Sequence, residues 1–164
     1  MNKGVQKIRK TARGHRSSEG GQSLLEVALL TPILLLVAVG LIEIGRYAYE
    51  AIRVANAARA GVSYGVQDHF TAGDLPGITN AACNDFAGSN SCSLTVTKTY
   101  LCQCDNAGTV GSAIDCTTGT CTVPQREIVS LQVTASGSFS SLFTYPGLPS
   151  SLAVTRTATM RIWK

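Results

Sequence analysis

The stretch that decides the reading is Leu24 to Ile42, LLEVALLTPILLLVAVGLI, bounded by Glu43 and Arg46 on its far side. Its 19 residues contain a single ionisable side chain, Glu26. A helix of that length crosses roughly 30 Å of hydrocarbon, so the run predicts one membrane-spanning helix. Pro32 removes one backbone hydrogen bond, and Gly40 and Gly45 loosen the helix toward its far end, so a kinked or locally melted helix is expected.

Before the run, residues 1–21 hold Lys3, Lys7, Arg9, Lys10, Arg13 and Arg16 against one acid, Glu19, a net charge of +5. The whole chain carries +4, which leaves the remainder at −1, so the basic character belongs to the tail. The tail lacks interleaved aromatics and runs straight into an apolar block, an argument against nucleic-acid binding and for cytoplasmic retention by the positive-inside rule. The N-terminus is thus expected in the cytoplasm and everything beyond Glu43 outside. Cys83, Cys92, Cys102, Cys104, Cys116 and Cys121 all fall on the outer part, an even and clustered set that reads as disulfides in an oxidising compartment. Six cysteines allow 15 connectivities, which spacing does not resolve, although Cys102 and Cys104 are expected to pair elsewhere rather than with each other. The alternative, four thiolates from Cys102, Cys104, Cys116 and Cys121 on zinc, is disfavoured by the compartment. No cofactor and no metal is expected.

After the run, Tyr47, Ala51, Val54, Ala58 and Gly61 recur at steps of four and three, with Arg46, Glu50, Arg53, Asn56 and Arg59 on the opposite side. Residues 44–66 therefore read as an amphipathic helix continuing the span, its small residues forming a close-packing stripe. Asp68 to Ser93 is rich in Gly, Asn, Asp and Pro and reads as loop with a short helix around Ile78 to Phe86. Strands are expected at Leu94 to Leu101, at the alternating Val129, Leu131, Val133 and Ala135, and at Leu152, Val154, Ala158, Met160 and Ile162, with a turn at Tyr145-Pro146-Gly147-Leu148-Pro149 between the last two. The fold class is α+β: a long N-terminal helix packed on a small antiparallel sheet. The organisation reads as a leader 1–21, a span 22–43, a helix 44–66 and a domain 67–164 carrying a cysteine-rich insert 83–121.

Gly21-Gln22-Ser23-Leu24-Leu25-Glu26 followed by the apolar run resembles the type III signal sequence of type IV pilin-like proteins. More narrowly, Gly20 to Ala28, then Thr31-Pro32, then Glu43-Ile44-Gly45-Arg46, then Asn56-Ala57-Ala58-Arg59-Ala60-Gly61 resembles the TadE-like family, minor pilins of the tight-adherence (Flp) pilus system. The resemblance implies cleavage by a prepilin peptidase between Gly21 and Gln22, with Glu26 at mature position five as a membrane assembly contact. It implies pilin subunits, other minor pilins, the pilus assembly platform and the peptidase as partners, and no enzymatic activity. The insert from Cys83 to Cys121 carries no family pattern.

Two other readings compete. Residues 1–40 resemble in outline a Sec signal peptide ending at Ala38-Val39-Gly40, which would release a soluble disulfide-bonded domain. Gly61-Val62-Ser63-Tyr64-Gly65 is a literal G-x-S-x-G, the hydrolase signature, but that mechanism needs a strand before the turn and a later histidine. Here a helix precedes the motif. His69, beside Asp68, is expected to form a solvated loop pair.

Overall fold

A computed structural model describes residues 19–106, 108–143 and 149–162. In chain order they form helices α1 (Glu19–Gly65), α2 (His69–Gly73) and α3 (Leu75–Ala87), then strands β1 (Thr95–Asn106), β2 (Thr109–Ile114), β3 (Arg126–Ser140) and β4 (Ser151–Arg161). The strands make one antiparallel sheet in the order β2-β1-β3-β4. The architecture is α+β and pilin-like. Contacts divide the chain into two compact units, Met1–Leu41 and Ile42–Lys164.

In the first unit, α1 presents Leu24, Leu29, Ile33, Leu36 and their neighbours to the surroundings, with nothing packed over them. Among the described residues, this is the one helix long and apolar enough to cross a membrane. The local melting expected at Pro32 does not occur, because α1 runs through it without a break. Leu29, Leu30, Leu34 and Leu35 favour helix on both sides of the proline, and the Thr31 hydroxyl donates to the Val27 carbonyl at 2.7 Å in the turn before it.

In the second unit, the remainder of α1 covers the inner face of the sheet. Ala51, Val54, Ala57 and Ala58 pack with Ala135, Phe139 and Val154, and Val62 packs with Ile78, Leu131 and Val133. Leu131, Val133 and Ala135 point one way because side chains alternate across a strand, and all three are fully buried. The small residues of α1 set the approach of helix to strand: a Cβ on Gly61 would sit 3.3 Å from both the Ile78 carbonyl and Val133, and one on Gly65 would strike the Leu131 side chain. The other face of the sheet is hydroxylic, with Thr134 and Thr157 at 3.1 Å and Ser136 and Thr155 at 2.7 Å across the β3–β4 pair.

The stretch from Asp68 to Ser93 is mostly helical: the short helix expected around Ile78 to Phe86 is the body of α3, while α2 and the first turn of α3 correct the loop reading of the residues before it. The residues that resemble loop punctuation are helix caps. Asp68 opens α2 with a capping box shared with Thr71, so His69 is the first residue of a helix rather than part of a loop. Asp74 caps α3 by accepting from the Gly77 amide at 3.1 Å, Pro76 lies in the first turn, where no amide is needed, and Gly88 closes α3 in the left-handed region at φ 69°. Lys98 and Tyr100 reach from β1 to the last carbonyls of α2, both donating to the Ala72 carbonyl at 2.7 Å. Those carbonyls carry the negative end of the helix dipole, which suits a cation.

The insert is more ordered than its composition suggests. β1 continues through Cys102 and Cys104 to Asn106 and turns into β2, a strand absent from the expectation, with a register shift between Gln103 and Asp105. Of the expected Tyr145–Pro149 turn, residues 145–148 lie outside the described residues, as do residues 1–18 of the basic leader.

Candidate functional site

The residues singled out from sequence fall at three places. Gly21, Gln22 and Glu26 lie in the first turns of α1, in the unit Met1–Leu41, and all three are exposed. Gln22 and Glu26 are four residues apart, and side chains at that spacing share one helical face.

The stripe Tyr47, Ala51, Val54, Ala58 and Gly61 belongs to the second unit. Ala51, Val54, Ala58 and Gly61 are buried against the sheet, while Tyr47 meets the Phe139 ring edge to face at 5.7 Å. Ala57 and Val62, which lie outside the four–three spacing, are buried with them.

The polar residues of the same helix are not simply solvated, a departure from the amphipathic picture. Arg46 pairs with Glu43 at 3.2 Å and stands over the Phe139 ring at 5.3 Å. The second Glu43 oxygen accepts the Leu142 amide at 2.8 Å, joining residues 99 apart in sequence. Further along the helix, Arg53 pairs with Glu50 at 3.0 Å, donates to the Phe86 carbonyl at 2.6 Å and lies 4.2 Å from the Phe86 ring centre. Arg53 thereby fixes the C-terminal end of α3 to α1, with the guanidinium stacked on an aromatic face and bonded to a carbonyl at the negative end of the helix. Nothing in the spacing of Glu43, Phe86, Phe139 and Leu142 signals these contacts. Only the aromatic character of Phe86 and Phe139 hints that they would be used.

All six cysteines are bridged: Cys83 to Cys92, Cys102 to Cys116 and Cys104 to Cys121. Cys102 and Cys104 sit two apart on one face of β1, and each takes a partner from the segment after β2. These bonds consume the four thiolates that a zinc site would require. Among the described residues no group of three or more His, Cys, Asp or Glu side chains is placed to hold a metal ion.

Ser63 of the G-x-S-x-G stretch lies within α1 and directs its hydroxyl to the Met160 sulfur at 3.8 Å. The strand–turn–helix elbow that exposes a nucleophile is therefore not built there.

Two groups in the second unit have shifted titrations. The Tyr64 phenol is raised, first by its hydrogen bond to Asp74 at 3.0 Å, then by desolvation and by the nearby negative charge. Asp115 is lowered to about 2 by the Thr117 hydroxyl and the amides of Thr117 and Thr118, which all bond to the ionised form. Both are structural: one ties α1 to the cap of α3, the other shapes the turn before Cys116.

Residues 21–63 match the model of a protein family described as TadE-like protein. The match lies wholly within α1, taking in the apolar run, the Glu43 boundary and most of the sheet-covering part, and it leaves the disulfide-bearing part outside. No curated protein and no solved structure matches the chain.

Proposed function

We propose that this chain is a minor pilin or pilus-assembly component of a tight-adherence (Flp-type) pilus, held in the inner membrane by α1 and trimmed by a prepilin peptidase between Gly21 and Gln22. The observation that carries the reading is the register of the family match. It begins at Gly21, the residue after which the peptidase would cut, and runs through the span.

Physical chemistry gives the processed end its use. A carboxylate within a span costs roughly 2.5–3.5 kcal/mol at the helix centre and somewhat less near an end, so Glu26 calls for a partner. Cleavage creates an amino group on Gln22, one turn before Glu26, able to pair with that carboxylate within the chain or with that of a neighbouring pilin subunit. The work of the protein is then binding and assembly rather than catalysis, with pilin subunits, other minor pilins and the assembly platform as partners and the peptidase acting once. The basic residues before Gly21 support a cytoplasmic N-terminus. Three disulfides support a periplasmic or pilus-surface location for the folded unit.

Intact mass and N-terminal sequence of the protein from membranes of a host carrying the matching peptidase test the reading. A start at Gln22 is expected. A start near Leu41 would replace the reading with a secreted domain released by signal peptidase, and an intact Met1 would leave a plain membrane anchor.

A further inference from the structure

The apolar run ends at Ile42, and the next residue, Glu43, holds a distant part of the fold. Its carboxylate accepts the Leu142 amide at 2.8 Å, tethering the segment after β3 to the helix at the first position beyond the run. Around this tether lies an open apolar cleft of about 300 Å³, lined by Ile44, Tyr47, Phe139, Phe143 and Leu152 beside Glu43 itself. Ile44 is 66% exposed, Leu142 61%, Phe143 49% and Leu152 46%. Such clustering at one place on a folded unit marks a surface meant to be covered.

Covalent geometry identifies the cover. If Leu24 to Ile42 lies in hydrocarbon, Glu43 is at the boundary of the bilayer, because it follows Ile42 directly. Leu142, bonded to Glu43, is then at the same depth. The patch thus starts within one hydrogen bond of the residue that directly follows the apolar run, which favours lipid as its cover. The polar companions suit that depth. Arg46, 3.2 Å from Glu43 and still partly exposed, supplies a cation at the height of lipid phosphates. Tyr47 and Tyr49 supply the amphipathic rings that populate membrane interfaces.

We propose that this patch docks on lipid: Ile44, Leu142, Phe143 and Leu152 enter the acyl–headgroup boundary of the leaflet on the side of the folded unit. Glu43 acts as the clip that holds the post-β3 segment at that depth. The proposal rests on reading α1 as a membrane anchor, and its test separates the two.

Full-length chains with one tryptophan each, carrying Leu35→Trp, Leu142→Trp or Phe70→Trp in a Trp163→Phe background, are reconstituted in vesicles of phosphatidylethanolamine and phosphatidylglycerol. A fraction of acyl-brominated phosphatidylcholine serves as quencher. All three sites are exposed, so the substitutions leave the core intact. Leu142→Trp is expected to lose about half of its emission, Leu35→Trp at least as much, and Phe70→Trp less than about a tenth. Adding Glu43→Ala reduces quenching at position 142 and leaves it unchanged at position 35. Quenching at 35 with position 142 behaving like position 70 overturns the proposal and leaves the anchor standing, whether water or a second copy covers the patch. Absence of quenching at 35 overturns the anchor and the proposal together.

Discussion

Two stretches of α1, Leu24–Ile42 and Ala51–Gly65, are equally helical and nearly opposite in the side chains they use. The first carries large branched side chains on every face and buries none of them within the protein. The second places Ala51, Val54, Ala57, Ala58, Gly61 and Val62 against the sheet and keeps its bulk elsewhere. The difference is what a membrane anchor followed by a sheet-covering helix would require. Hydrocarbon makes no steric demand and rewards apolar area at roughly 25 cal/mol per Å², so Leu and Ile suit all sides. A β-strand brings its own side chains, and a helix approaches it closely only where its side chains are short. Side-chain size along a continuous helix therefore reports which medium surrounds it, more sharply than hydrophobicity alone.

The comparison breaks first at Val54. Val54→Asp puts a carboxylate into a fully buried site and should cost about 4 kcal/mol, whereas Ile52→Asp, on the exposed side of the same turn, should cost about 0.5 kcal/mol. Thermal unfolding followed by circular dichroism in detergent measures both, and equal losses would mean that the sheet does not cover this face. Next in size, Leu35→Arg should raise the cost of membrane insertion by about 3 kcal/mol. It should move protein into the alkaline-extractable fraction while leaving the melting of the folded unit unchanged, and coupled losses would show that the two stretches do not serve separate media. The smallest effect comes from two glycines of opposite sign. Gly61→Ala meets the Ile78 carbonyl and Val133 and should destabilise by about 1 kcal/mol. Gly45→Ala meets nothing within 4 Å and should stabilise by about 0.5 kcal/mol. Their midpoints should shift in opposite directions.

Periodicity carried the parts of the fold that are amphipathic. Leu24–Ile42 announces itself by length, the stripe from Tyr47 to Gly61 by its four–three spacing, β3 by alternation and β4 by an alternation interrupted at Arg156. Helix α2 and the bounds of α3 stay hidden because Asp68, Asp74, Pro76 and Gly88 have the same composition whether they break structure or cap it. Only the offset between Asp68 and Thr71, and the Asp-x-Pro opening of α3, carry the distinction. Strand β2 stays hidden because Thr109–Ile114 includes a glycine and gains its place from pairing with β1. Disulfide connectivity is a property of the closed hairpin, which brings Cys116 and Cys121 beside β1. The clip from Glu43 to Leu142 and the Arg53 contact with Phe86 join residues far apart in sequence, which no local pattern encodes.

The bridges have a mechanical side. Cys83–Cys92 and Cys104–Cys121 enclose sequence separations of 9 and 17, and a taut chain gains roughly 3.3–3.6 Å per residue, so the bonds withhold on the order of 80 Å of slack from any pull applied between the two ends. Under load, the folded unit would yield as a short tether, and reduction of its sulfurs would convert it into a long one.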